Sequence, residues 1–216
     1  KISKSVGNII DPREIVETYG LDQIRYFLMR EVPFGNDGDF SRKSVVSRIN
    51  SELANDLGNL AQRSLSMVGR YCDGVLPAPG DFSDADAALL DQARAVLGAY
   101  REHIDNQAFH EALEAVWLVV RAANAYVDQQ APWKLHKEDP ARRDTVLYVL
   151  VETIRHLALY IQPYMPDSAN TMLDQLAVPA DERDFSNVGE GSAMKAGATL
   201  PKPEPVVFNR LLPSDA

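Results

Sequence analysis

Apolar residues fall into two regimes along the chain. Up to residue 32 they form short clusters, and from residue 41 they recur every three or four positions over long stretches. In DPREIVETYG, Asp11 suits a helix N-cap, Pro12 the first helical position and Gly20 the position just past the end. Asp22 opens a second helical stretch, with Ile24, Phe27 and Leu28 along one side and Pro33 as its stop. The FGNDGDF that follows is turn chemistry. These first forty or so residues read as a small connector of short helices with room for a short strand.

The long stretches predict a bundle. Its first helix begins after Ser41 as N-cap and carries Val45, Ile49, Leu53, Leu57, Leu60 and Val68 at helical spacing. CDGVLPAPGDF ends it with Gly and Pro. A second helix over 83–104 turns Leu89, Leu90, Ala93, Val96, Leu97 and Tyr100 inward. A third over 109–129 carries Leu113, Val116, Trp117, Val120 and Val127, and Ala131-Pro132-Trp133 breaks it. A fourth over 140–161 carries Val146, Val149, Leu150, Ile154 and Leu157, and a shorter one follows at 168–176. The remainder is rich in Gly, Pro and polar residues and closes on PKPEPVVFNRL, an extended tail with an apolar VVF clip. The fold class is therefore mainly α: a helix bundle over 42–178 behind a small α/β connector over 1–41. A tail over 179–216 packs back on the bundle or connector.

Composition narrows the class. A 45% hydrophobic content in 216 residues supports a real core. No apolar run of about 18 residues is present, so no transmembrane helix is expected. No signal-peptide pattern opens the chain. Cys72 is the one cysteine, and His103, His110, His136 and His156 are scattered without ligand spacing. A reducing cytoplasm and no metal site are the expectations. The net charge of −9 argues against a general nucleic-acid binder, but the charge is segregated. Residues 42–70 hold five cations against two carboxylates, and residues 81–114 hold eight carboxylates against two cations. An acidic protein built this way can still turn one basic face to RNA.

The chemistry-bearing stretches are few. In KISKS, Lys1 and Lys4 lie three apart and offer compact charges to a polyphosphate, with the Ser3 and Ser5 hydroxyls between and beside them. An unstructured basic end is the competing reading of those five residues. Asn59 and Arg63 are four apart and share a helix face beside the Leu53/Leu57/Leu60 stripe. Asn offers a donor and an acceptor to a base edge, Arg a planar fork, and an indole after Pro132 a stacking surface for an unpaired base. The structural alternatives are a surface amide at Asn59, a salt-bridge partner at Arg63 and a cap on the bundle end at Trp133. Trp117 reads as core, Asp22 and Arg25 as capping and packing, His103 and His110 as solvent-facing, and Cys72 as a packed small residue.

Lys1-Ile2-Ser3-Lys4-Ser5, Gly7-Asn8, Pro12, Tyr19-Gly20, Asp22 and Arg25-Tyr26 resemble the KMSKS segment that closes the catalytic half of class I aminoacyl-tRNA synthetases. Ile2 for Met is an apolar swap of similar volume. Within that class, NDLGNLAQR, APWKL, the PFGNDGDFS turn and the PVVFNRL clip resemble the methionyl subfamily. The resemblance implies a loop that closes over ATP and its Mg2+ during methionine activation, with Lys4 on the pyrophosphate leaving group and Lys1 assisting. It also implies that Asn59, Arg63 and Trp133 recognise the CAU anticodon of tRNA(Met). The His-Ile-Gly-His motif and the Rossmann pattern that such enzymes need do not occur in this sequence. The chain is therefore read as the C-terminal part of a larger monomeric enzyme, inactive alone, in which methionine and ATP bind the other part. Two further readings stay open: the corresponding region of a valyl, leucyl, isoleucyl or cysteinyl enzyme, and a free-standing helical tRNA-binding or protein-interaction module.

Overall fold

The computed structural model describes residues 11–38 and 40–212. Two short helices come first. α1 (Pro12–Tyr19) is capped by Asp11, whose carboxylate accepts from the Arg13 N–H at 2.9 Å. Gly20 ends it at φ +92°, where a Cβ would press on the Gln23 side chain. α2 (Leu21–Glu31) buries Asp22, Ile24, Tyr26 and Phe27. The stripe predicted from spacing is rotated here: Leu28 is 51% exposed, while Tyr26 is fully buried. The cause is polar. Asp22 accepts from the Ser168 N–H at 2.6 Å. Arg25 donates to the carbonyls of Tyr164 (2.8 Å) and Pro163 (2.7 Å), and the Tyr26 hydroxyl meets Glu52. The inward face of α2 is chosen by these partners as much as by hydrophobicity. Among the described residues the connector holds helices and turns and no strand; the isolated bridge Val75–Thr199 is the sheet-like pairing the fold contains.

Residues 42–71 form one helical rod in three parts: α3 (Arg42–Arg48), a π-helical segment (Ile49–Gly58) and α4 (Asn59–Tyr71). Ser41 caps its start through the Ser44 N–H at 3.1 Å. The widened middle was not visible in the spacing of Ile49, Leu53 and Leu57, all of which are buried. Gly58 shows why it survives: a Cβ there would sit 2.8 Å from the Leu53 carbonyl oxygen and 3.4 Å from the Phe208 side chain. A ten-residue π stretch is unusual, since π turns mostly occur singly and often near functional sites.

α5 (Asp84–Asp105), α6 (Phe109–Gln130) and α8 (Pro140–Ile161) are 22 residues each and form the centre with α4; α7 (Pro132–Glu138) links α6 to α8, and α9 (Pro166–Gln175) follows α8. Ser83 and Asp86 make a capping box on α5. α8 is buried on every side from Thr145 to Ile161, beyond the single stripe its sequence suggests. Its polar members are paired: Arg155 grips Glu152 at 2.6 and 2.9 Å and donates to the Asn187 carbonyl at 2.6 Å. His156 lies between the carbonyls of Glu152 and Val188. Asn187 and Val188 belong to the C-terminal tail, which covers the outer side of α8. Farther on, Phe208 is buried, and the Asn50 side chain clasps the Leu211 backbone through two hydrogen bonds of 3.0 and 2.8 Å. Trp117 is fully buried with its ring 4.8 Å from that of Tyr26.

Candidate nucleic-acid interface

The outer face of α4 and the whole of α7 build one surface. α6 ends when Ala131 turns left-handed at φ +45°, with its N–H still bonded to the Val127 carbonyl at 3.0 Å. That single residue reverses the chain. Pro132 then starts α7 with its φ preset and its ring buried. What reads in sequence as a break is thus a corner followed by a short helix. The corner throws the next side chain outward: Trp133 is 39% exposed.

The indole is not alone. The Arg63 guanidinium carbon lies 5.4 Å from its ring centroid, a cation–π contact, and Arg63 Nη2 is 3.2 Å from Asp128 Oδ1. Arg63 therefore bridges α4, α6 and α7, and its predicted structural role as a salt-bridge partner is realised beside the indole contact. Asn59 stands one turn earlier on α4 and is exposed. Gln62, Ser66, Met67, Arg70 and Tyr71 join Arg63 and Trp133 around a shallow cleft of ≈ 330 Å³. Arg63 and Trp133 thus share one cleft, while Asn59, one turn earlier on α4, is not among the residues that line it. Lys1, Ser3, Lys4 and Ser5 lie outside the described residues.

Local charge favours an anion. Arg70 lines the cleft and is exposed, Lys134 and Lys137 are exposed on α7 against Glu138, and Asp128 is held by Arg63. Three residues there were not singled out from sequence as site residues. Asp128 orients Arg63. Tyr71 stacks on His136 with ring centroids 4.2 Å apart at 18°. The signal available was slight: His136 follows Trp133 by three positions and Tyr71 follows Arg63 by eight, spacings that put each pair on one helix face.

Elsewhere the perturbed groups are structural. Burial opposes the charge of Asp86, but hydrogen bonds from Arg142, Tyr126 and the Ser83 backbone outweigh it and bring its carboxyl down to about 2. Burial, reinforced by Asp144, pushes the Cys72 thiol up to about 11. His103 and His110 are half-buried and flank Glu111 rather than facing open solvent. Among the described residues, no group of three or more His, Cys, Asp or Glu is placed to hold a metal ion, and no helix is long and apolar enough to cross a membrane.

Comparison with known proteins places the chain in a family. Residues 1–65 match the family of class I (M) tRNA synthetases, and residues 76–215 match the anticodon binding domain of methionyl tRNA ligase. The methionine–tRNA ligase of Brucella suis biovar 1 (strain 1330) is 56% identical over 215 residues, covering 100% of this chain and 41% of that protein. That of Rhizobium meliloti (strain 1021) is 48% identical, covering 100% of this chain and 42% of its own length. The Mycobacterium tuberculosis methionyl-tRNA synthetase in complex with methionyl-adenylate superposes with a TM-score of 0.93 at 53% identity, over 97% of this chain and 42% of that one. The free-state enzyme of the same organism gives 0.91 at 51% identity, over 95% of this chain and 42% of that one. The chain spans about two fifths of the length of the curated relatives it matches. With its larger part matching the anticodon-binding domain and its whole length aligned to these ligases, the chain belongs to the methionyl-tRNA synthetase family.

Proposed function

We propose that this chain recognises the CAU anticodon of tRNA(Met) and that its KISKS segment serves ATP-dependent methionine activation in the ligase of which it forms the C-terminal part. The observation that carries the first claim is the indole of Trp133, turned outward by the Ala131–Pro132 corner and flanked by Arg63 over an open cleft. Unpaired loop bases stack on such surfaces, and an exposed aromatic beside a guanidinium is suited to receive one. Asn59 and Arg63 read base edges next to the stacked base. In the activation step ATP, with its Mg2+, is a substrate, and Lys4 with Lys1 supplies positive charge to the departing pyrophosphate. That role rests on the match of Lys1-Ile2-Ser3-Lys4-Ser5 to the family segment.

The test is Trp133→Ala in the full-length ligase. Loss of one base–aromatic stack, about 1–3 kcal/mol, raises the KM for tRNA(Met) by about tenfold. ATP–pyrophosphate exchange with methionine stays unchanged. A fall in melting temperature with tRNA KM and methionine activation impaired together marks Trp133 as a structural cap instead and ends the anticodon assignment.

A further inference from the structure

α7 is a weak element to carry a recognition residue. It has seven residues, begins at a left-handed corner and buries fully only Pro132. A helix this short has no stability of its own and takes its position from what it packs against. Its face toward α4 makes two ring contacts. One is Trp133 under Arg63. The other, one turn along, is the near-parallel stack of His136 on Tyr71, at 4.2 Å and 18°. Tyr71 is the last residue of α4, so the stack pins the far end of α7 to the end of the rod that carries Arg63.

The imidazole is also fixed in its own plane. His136 Nδ1 lies 2.8 Å from Arg143 Nη1, near the start of α8. A guanidinium only donates, so Nδ1 accepts and the ring proton sits on Nε2. Arg143 is in turn held by Asp144 Oδ1 through Nε at 2.9 Å and Nη2 at 2.6 Å. His136 is thus clamped by a ring on its face and by a braced cation at its edge.

We propose that His136 and Tyr71 are positioning residues for tRNA recognition: their stack holds the Trp133-bearing helix against α4, so that the indole stands beside Arg63 in register to receive a base. This rests on the anticodon reading above. The alternative is that packing on α8, through Pro132, the half-buried Leu135 and the rest of the short helix, fixes α7 without the stack.

Two readouts separate these. Acrylamide quenching of tryptophan fluorescence in this chain reports Trp133, because Trp117 is fully buried. Steady-state aminoacylation by the full-length ligase gives the KM for tRNA against kcat. Removing the stack with His136→Ala, or with Tyr71→Leu, raises the quenching constant and raises the KM for tRNA about three- to tenfold, the equivalent of one lost aromatic pair, with the effect confined to KM. His136→Phe keeps the ring, loses Nδ1, and restores both values. A quenching constant and KM unchanged in His136→Ala overturn the proposal, as does His136→Phe impaired as severely as His136→Ala. The two claims fail separately. If Trp133→Ala leaves the KM for tRNA unchanged while His136→Ala still frees the indole to quencher, the anticodon reading falls and the clamp on α7 stands.

Discussion

Replacing Arg63 by Gln separates recognition from folding, because the structure limits what the guanidinium contributes to stability. Its side chain is 36% exposed and its partner Asp128 is 67% exposed, so their ion pair at 3.2 Å is worth about 0–1 kcal/mol. The cation–π contact at 5.4 Å on a partly exposed indole adds about 0.5–1 kcal/mol. The total loss on folding is therefore under about 2 kcal/mol, against about 3–5 kcal/mol for truncating a buried aromatic such as Trp117. The contact to tRNA is lost in addition to this. An Arg contact to a base edge is worth about 1–3 kcal/mol, which sets the KM for tRNA up by about tenfold. The guanidinium is already committed to Asp128 and the indole, so on the proposed reading it meets the base that stacks on Trp133 rather than a phosphate. Arg63→Gln should therefore leave the salt dependence of tRNA binding unchanged while lowering discrimination against altered anticodons. Melting curves and KM measured across a KCl series check this. A salt slope lowered by about 0.7 would assign Arg63 to a phosphate, and an unchanged KM with a lowered melting temperature would leave it a purely structural residue.

Asp86 titrates at about 2 in the folded chain and near the ordinary carboxylate value when unfolded, so its stabilisation is present above about pH 4 and is lost as pH falls toward 2. Acid unfolding of the native chain should show about 2 kcal/mol more pH dependence in that window than Asp86→Asn, and equal slopes would refute the bidentate Arg142 pairing as its source. Cys72, with its thiol pushed up to about 11, should react with iodoacetamide at pH 8 on the order of 100-fold more slowly than a free thiol; alkylation at the free-thiol rate would contradict its placement beside Asp144. In the full-length ligase, Lys4→Ala should cost about 2–4 kcal/mol in the rate of adenylate formation with little change in methionine binding, and equal losses in both would make Lys4 a ground-state binder.

Much of the fold was legible because helix ends are local chemistry. Asp11, Ser41 and Ser83 cap where their side chains reach the first N–H groups, and Pro12 and Pro140 start helices where no N–H is needed. Most departures come from distant partners. Leu28 faces outward because Asp22, Arg25 and Tyr26 find bundle groups to bind. The π segment has apolar spacing that suits an α-helix equally well, and Gly58 is explained only by Leu53 and by Phe208 far along the chain. α8 is buried on its polar side because the tail supplies carbonyls to Arg155 and His156. At the candidate site, family motifs drew attention to Asn59, Arg63 and Trp133. No spacing rule brings Asp128 to Arg63 or His136 to Tyr71, since each pair joins separate elements and forms only once the bundle has packed.

Whether Trp133 reads the anticodon, or only closes the end of the helix bundle, is decided by discrimination between anticodons. The most direct test is the ratio of kcat/KM for tRNA(Met) carrying CAU to that for the same tRNA with a changed anticodon, measured for the full-length ligase with and without Trp133→Ala. With Trp133 stacked on an anticodon base, this ratio collapses in the variant while methionine activation holds. A ratio preserved among the molecules still folded, with both tRNAs weakened alike, would contradict that stacking.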